Sequence, residues 1–210
     1  MIKKLGLKFR NIFLIFYFKI KSNKYKTELN KCKVTLDYIW TSKINRTKII
    51  QQIINDKNFK SYLEIGCDQN QNFSKIKINK KTGIDPKKGG TFRGTSDDFF
   101  KQNSEKFDII FIDGLHVSHQ VDKDIKNSLN VLNENGVILL HDCIPKSIKE
   151  CFIPRIQLSW TGDVWKSIVK IRSKNEVDCT TILEDHGISI ILKRPNSLHI
   201  PFSTRNSQAL

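Results

Sequence analysis

Three acidic residues and a glycine, Glu64, Gly66, Asp68 and Asp85, stand at spacings suited to holding a nucleoside. The run Tyr62-Leu63-Glu64-Ile65-Gly66-Cys67-Asp68 is a short apolar segment that ends in an acid, a glycine and a polar loop. Nineteen residues beyond Gly66, Thr82-Gly83-Ile84-Asp85-Pro86 closes on a second acid. This is the layout of a βαβ nucleotide site. Gly66 turns the backbone sharply with no Cβ in the way, and a helix then returns the chain to a second parallel strand. At the tip of that strand Asp85 is placed to accept hydrogen bonds from both ribose hydroxyls. The loop from Gly66 to Asn72 has one glycine where a dinucleotide fingerprint has three, and Glu64 and Asp68 repel a pyrophosphate. An adenosine with a cationic end is attracted instead. S-adenosylmethionine, with its sulfonium and ammonium, fits that description.

The elements that must position these residues alternate regularly. Asn45 to Asn55 reads as a helix with Ile49, Ile50, Ile53 and Ile54 on one side, followed by strands at about 61–66 and 81–85. A short third strand is expected at 91–95. Ser96 then looks like an N-cap, with Asp97 and Asp98 in the first turn of a helix. Phe107-Asp108-Ile109-Ile110-Phe111-Ile112-Asp113 is a nearly continuous apolar run ending in a carboxylate, as a strand buried on both faces requires. A helix over about 117–132, a turn at Asn135-Gly136, and a strand over 137–140 ending in His141-Asp142 follow. After a Pro-punctuated linker come a helix at about 163–171 and two strands, 177–183 and 188–192, joined through Glu184-Asp185-His186-Gly187. The fold expected is a doubly wound, mostly parallel, seven-stranded α/β sheet of Rossmann type, with a basic helical N-terminal extension. Glu64, Asp85, Ser96, Asp97, Asp113 and Asp142 all fall at or just past strand C-termini, where such sheets bind ligands.

Length and charge sharpen the outline. The 210 residues suffice for one domain with an extension, and the net charge is +15. Residues 1–60 hold 15 Lys/Arg against 3 Asp/Glu, whereas residues 61–210 hold 21 against 18, so the body is near neutral. The expected division is an extension over 1–60, a domain over 61–195 and a polar, loose tail over 196–210. The five cysteines are widely spaced and include no CxxC pair, which suggests neither a disulfide framework nor a zinc site and makes a reducing cytoplasm the default. Cys67 reads as a small packing residue rather than a nucleophile.

In the extension, the apolar run from Ile12 to Phe18 is too short to cross a membrane. Ile2, Leu5, Phe9, Ile12, Phe13, Phe16 and Ile20 recur at helical spacing among cations. Two readings stand: a helix lying peripherally on the inner membrane surface, or a cap packed on the domain or on a second subunit as a homo-oligomer.

The region from Tyr62 to about Arg194 resembles the class I S-adenosylmethionine-dependent methyltransferases, and more narrowly the bacterial macrocin O-methyltransferase-like small-molecule group. The resemblance rests on Leu63-Glu64-Ile65-Gly66, Gly83-Ile84-Asp85-Pro86, Thr95-Ser96-Asp97-Asp98-Phe99-Phe100, Phe107 through His116, Gly136 through Asp142, and Gly162-Asp163-Val164-Trp165-Lys166. It implies that Glu64, Gly66 and Asp68 line the methionine part of the cofactor, that Asp85 binds the ribose, and that Ser96 and Asp97 approach the adenine. Asp113 counts with the cofactor-binding set. The glycine-poor loop departs from the family's usual pattern.

Methyl transfer to a hydroxyl needs alignment and removal of a proton. His116, three residues after Asp113, is the preferred general base, with His141 and Asp113 as further catalytic candidates. Alternatively Asp113 and Asp142, beside His141, hold Mg²⁺ that lowers the pKa of the hydroxyl. The expected acceptor is a small molecule or a sugar or glycan intermediate. The alternatives are an RNA methyltransferase or basic nucleic-acid-binding protein, using the lysines with Tyr17, Tyr25, Tyr38 and Trp40 as stacking groups, and an NAD-dependent oxidoreductase.

Overall fold

A computed structural model describes residues 14, 16–31 and 44–197. Tyr38, Trp40, most of the stripe that begins at Ile2, and nearly all of the tail lie outside them. The strands are β1 (Ser61–Ile65), β2 (Lys80–Asp85), β3 (Phe92–Arg93), β4 (Phe107–Ile112), β5 (Leu132–Leu140), β6 (Asp178–Ile182) and β7 (Ile188–Leu192). They form one sheet in the order β3-β2-β1-β4-β5-β7-β6, with β7 antiparallel to both neighbours and the rest parallel. The chain reverses its direction of travel across the sheet between β1 and β4. A crevice therefore opens beyond their C-termini, which is where doubly wound sheets bind ligands.

Side-chain alternation divides the core between two faces. Leu63, Ile65, Ile110, Ile112, Ile138 and Leu140 point to one, under the helices α2 (Ser96–Gln102), α3 (Ser118–Val131) and α4 (Val164–Arg172). Tyr62, Ile109, Phe111, Val137 and Leu139 point to the other, under α1 (Arg46–Lys57). The period of two along each central strand explains why their apolar runs are nearly unbroken: both faces are covered.

Four details differ from the sequence reading. No α-helix links β1 to β2; a single 3₁₀ turn, Phe73–Lys75, makes the crossing. The segment has only Cys67, Phe73 and Ile76 to bury, too few for a helical stripe, and Asp68 and Asn70 take positive φ. The cap of α2 is Thr95, whose side chain accepts from the Asp98 amide in a reciprocal capping box, while Ser96 is already helical and buried. Asn135-Gly136 lies inside β5, where the pairing with β4 shifts register, and is not a turn between elements.

The fourth difference concerns the domain boundary. Helix α1, assigned by sequence to the extension, seats Ile50 and Ile54 in the core, each burial contributing roughly 1.5–3 kcal/mol. Asn45 caps it by accepting from the Lys48 amide at 3.1 Å. The packed domain thus begins near residue 45. At the other end Asn196 donates to Asn175 and Ser197 to Asp178, so the chain is still held two residues past 195.

Candidate active site

The sheet ladder itself places the site residues. The Gly66 amide donates to Ile84 O, that of Asp113 to Ile65 O and that of His141 to Ile112 O, each within 3.0 Å. These three residues prolong β1, β4 and β5 by one step, so their positions are set by the strands. Gly66 has φ +91°, and a Cβ there would lie 2.2 Å from the Asp113 carbonyl oxygen. Only glycine lets the turn after β1 pass so close to the end of β4.

Two cavities meet at this turn, and Gly66, Asp68 and Asp113 line both. One, of about 500 Å³, runs past Ile84, Asp85, Pro86, Ser96, Asp97 and Leu115. Asp85 Oδ1 accepts from the amides of Lys87 and Lys88, and Oδ2 from that of Asp68 at 2.9 Å. Burial works against the charge, but those amides, helped by Arg93, hold the Asp85 pKa below the usual carboxylate range. A fixed anion with unused lone pairs therefore faces the cavity. Ser96 is turned to Asp124 Oδ1 at 2.6 Å, and Asp97 accepts from Gln120 Nε2 at 3.0 Å. Gln120 and Asp124, on α3, belong to this wall although the sequence reading did not single them out.

Glu64 is 1% exposed, on the same face of β1 as Tyr62. Its Oε2 accepts from Tyr62 OH at 2.5 Å and from Asn72 Nδ2 at 2.9 Å. Burial nevertheless pushes its pKa up to about 7. A raised folded-state pKa contributes stability that is complete below the unfolded value near 4.3 and is lost as pH rises through about 7. Wild-type protein should therefore be destabilised by roughly 3 kcal/mol at pH 8 relative to Glu64→Gln, with the difference absent at pH 4. Urea unfolding of both proteins across that range checks this; parallel pH profiles would refute it. A cation brought beside Glu64 would draw the proton off. Neighbouring Cys67 is buried, and burial pushes its thiol up, so it is a packing residue.

The second cavity, about 610 Å³, counts Asp113, His116, His141 and Asp142 among its lining residues. His116 Nδ1 is 3.1 Å from Asp142 Oδ2, and Nε2 is 3.5 Å from Asp113 Oδ1. His141 Nδ1 is 3.2 Å from an oxygen of Asp113 and of Asp142, and Nε2 is 3.4 Å from Asp185. None of these contacts gives the His141 ring a well-directed hydrogen bond, although the ring is buried. Burial disfavours charge on both rings, but the carboxylates override it and raise both pKa values, that of His141 well above the usual value. Asp113 is held far below the carboxylate range against its burial by His141, His116 and Arg46.

Arg46 and Asp185 complete this cluster from 139 residues apart. Arg46 Nη1 reaches Asp113 Oδ2 at 2.5 Å, while its Nε, Nη2 and backbone amide all donate to Asp185 within 3.1 Å. The first turn of α1 and the β6–β7 hairpin are thus clamped over the end of β4. Opposite them, Gly162, with φ +61°, packs where a Cβ would fall on the His116 carbonyl oxygen, and Trp160 stacks on the His116 ring at 5.5 Å.

Residues 52–143 match a family model described as a methyltransferase domain. Over those residues the chain resembles a methyltransferase domain. Among solved structures, it is similar to the methyltransferase PaMTH1 of Podospora anserina bound to SAH, at 16% identity and a TM-score of 0.56 over 72% of this chain and 78% of that one. An O-methyltransferase from Bacillus cereus in complex with SAH aligns at 13% identity and a TM-score of 0.55, covering 73% and 84%. A putative caffeoyl-CoA O-methyltransferase from Staphylococcus aureus aligns at 16% identity and 0.55, covering 90% and 99%. These likenesses show the fold. No curated protein matches the chain significantly.

The structure brings together most residues that the sequence singled out. Glu64, Gly66, Asp68, Asp113, His116, His141 and Asp142 line one cavity, and Asp85, Ser96 and Asp97 line the other with Gly66, Asp68 and Asp113 between. Asp113, His141 and Asp142 each offer a ligand atom within 4.8 Å of the others. Among the described residues no helix is long and apolar enough to cross a membrane.

Proposed function

We propose that the protein transfers the methyl group of S-adenosylmethionine to a hydroxyl of a small polyhydroxylated molecule such as a sugar or glycan intermediate. The observation that carries this reading is the junction of the two cavities at Gly66, Asp68 and Asp113. Adenosine occupies the smaller cavity, with its ribose on Asp85 and its base beside Ser96 and Asp97. The methionine end crosses the Gly66 turn, its ammonium near Glu64 and Asp68. The sulfonium then faces the larger cavity, where the acceptor lies. Asn45, Thr47, Asn72, Ser159 and Thr161 around that cavity offer amide and hydroxyl groups suited to sugar hydroxyls. Asp68, Asp85, Asp97, Asp113, Asp142 and Asp185 repel the phosphates of NAD or RNA, which disfavours both other readings.

His116 is placed to take the acceptor proton. The carboxylates of Asp113 and Asp142 beside it stabilise its protonated form and so strengthen it as a base. The donor set also fits a divalent cation: two carboxylates and a buried imidazole without a directed hydrogen bond converge at the ends of two adjacent strands. Asp113, His141 and Asp142 would hold it. Such a cation, Mg²⁺ by its ligand chemistry, lowers the pKa of a hydroxyl near it.

Asp85→Ala tests the cofactor half. It removes the ribose acceptor and releases three backbone amides, each charge-assisted bond being worth roughly 1.5–3 kcal/mol. Calorimetry should show affinity for S-adenosylmethionine falling at least about tenfold. Unchanged affinity would rule out this placement of the ribose.

A further inference from the structure

The helical residues ahead of the domain, 16–24 and Lys26–Lys31, present two unlike faces. Phe18, Ser22, Tyr25 and Leu29 are half-buried at spacings of three and four, the side turned to the domain. The Tyr25 ring lies 5.0 Å from that of Phe152, and the Arg155 guanidinium sits over both Phe18 and Trp160, at 5.5 and 5.8 Å. Trp160 in turn stacks on His116. The helix is thereby attached to the wall of the larger cavity.

On the outward side Phe16, Tyr17 and Ile20 are exposed, Phe16 by 62% and Ile20 by 56%. Exposed Lys19, Lys24 and Lys26 surround them. Residues 1–31 hold nine Lys/Arg and a single Glu, and the apolar sequence stripe that begins at Ile2 runs into Phe16 and Ile20.

We propose that this outward face docks on a membrane surface rich in anionic lipid. Apolar side chains enter the headgroup boundary while the lysines around them meet lipid phosphates. The same features disfavour other occupants. Two copies meeting face to face would bring Lys19 and Lys24 of each against those of the other, and a nucleic-acid backbone offers nothing to Phe16 and Ile20. Docking would hold the acceptor cavity next to the lipid surface through the contacts of Phe18, Arg155 and Trp160. The proposal is independent of the chemistry at Asp113.

The test is flotation of the full chain with vesicles of phosphatidylcholine alone or mixed with phosphatidylglycerol. Wild-type protein should float with the anionic vesicles only and release as salt rises. Phe16→Ser combined with Ile20→Ser should lower partitioning at least about tenfold, and Lys19→Glu with Lys24→Glu should abolish the preference for anionic lipid. Both double variants should bind S-adenosylhomocysteine as the wild type does, which establishes that they fold. The proposal is overturned if wild-type protein does not float, if it floats equally with neutral vesicles, or if the serine variant floats undiminished. A concentration-dependent dimer in light scattering that the serine changes dissolve, without flotation, would assign the face to a second copy.

Discussion

Gly66→Ala is expected to abolish measurable binding of S-adenosylmethionine and to lower the melting temperature by roughly 10 °C. The residue adopts φ +91°, a conformation costly for any L side chain, and the new methyl would sit 2.2 Å from Asp113 O and 2.5 Å from Asp113 C. Both obstructing atoms are backbone of the central strand's end, so no rotamer change relieves the overlap. The end of β1 must move away from β4, which breaks the Asp113-to-Ile65 ladder bond and displaces the junction of the two cavities. A cost of about 3 kcal/mol corresponds to that temperature shift for a domain of this size. Thermal melts and calorimetry of the variant check both halves, and binding within twofold of wild type would show that the cofactor does not cross this turn.

Asp113→Ala should be the most damaging change to turnover. Asp113 lies against Arg46, His116 and His141, and without it three cationic or cation-prone groups face one another in a largely buried cluster. Removing one partner from such a cluster costs about 3–5 kcal/mol. Asp113→Asn keeps the shape and should retain the far-UV spectrum, yet methyl transfer should fall by about 10²–10³-fold because the charge that organises both histidines is gone. Chelation separates the two ways of activating the hydroxyl. Loss of transfer on chelation, restored by Mg²⁺, is expected if Asp113, His141 and Asp142 bind a cation. Indifference to chelator removes the cation and leaves His116 as the sole base.

The central architecture was legible because its signals are local. β4 is an apolar run closed by Asp113, and the Glu64-to-Asp85 interval is set by one crossover, so strand ends and their carboxylates could be counted along the chain. The carboxylate–histidine cluster followed from the same counting, since Asp113 and His141 close neighbouring strands. Arg46 and Asp185 were not legible. Nothing in either neighbourhood marks them, and their meeting depends on α1 and the β6–β7 hairpin reaching the same strand end from opposite parts of the chain. The absent helix between β1 and β2 was readable, because residues 66–79 bury only Cys67, Phe73 and Ile76 and have no apolar stripe. The sequence places Glu64 near the end of the first strand, lining the cofactor site, but only strand alternation, which puts it on the same face as Tyr62 two residues away, explains why burial rather than solvent governs its charge.

The central claim is that the fixed carboxylate of Asp85 and the buried one of Glu64 flank a site for a nucleoside with a cationic tail. A calorimetric titration of the purified full chain with S-adenosylmethionine, with NAD as the competing ligand, tests it most directly. One S-adenosylmethionine bound per chain, with no binding of NAD, is the predicted result; no heat with S-adenosylmethionine, or comparable affinity for NAD, would contradict the account.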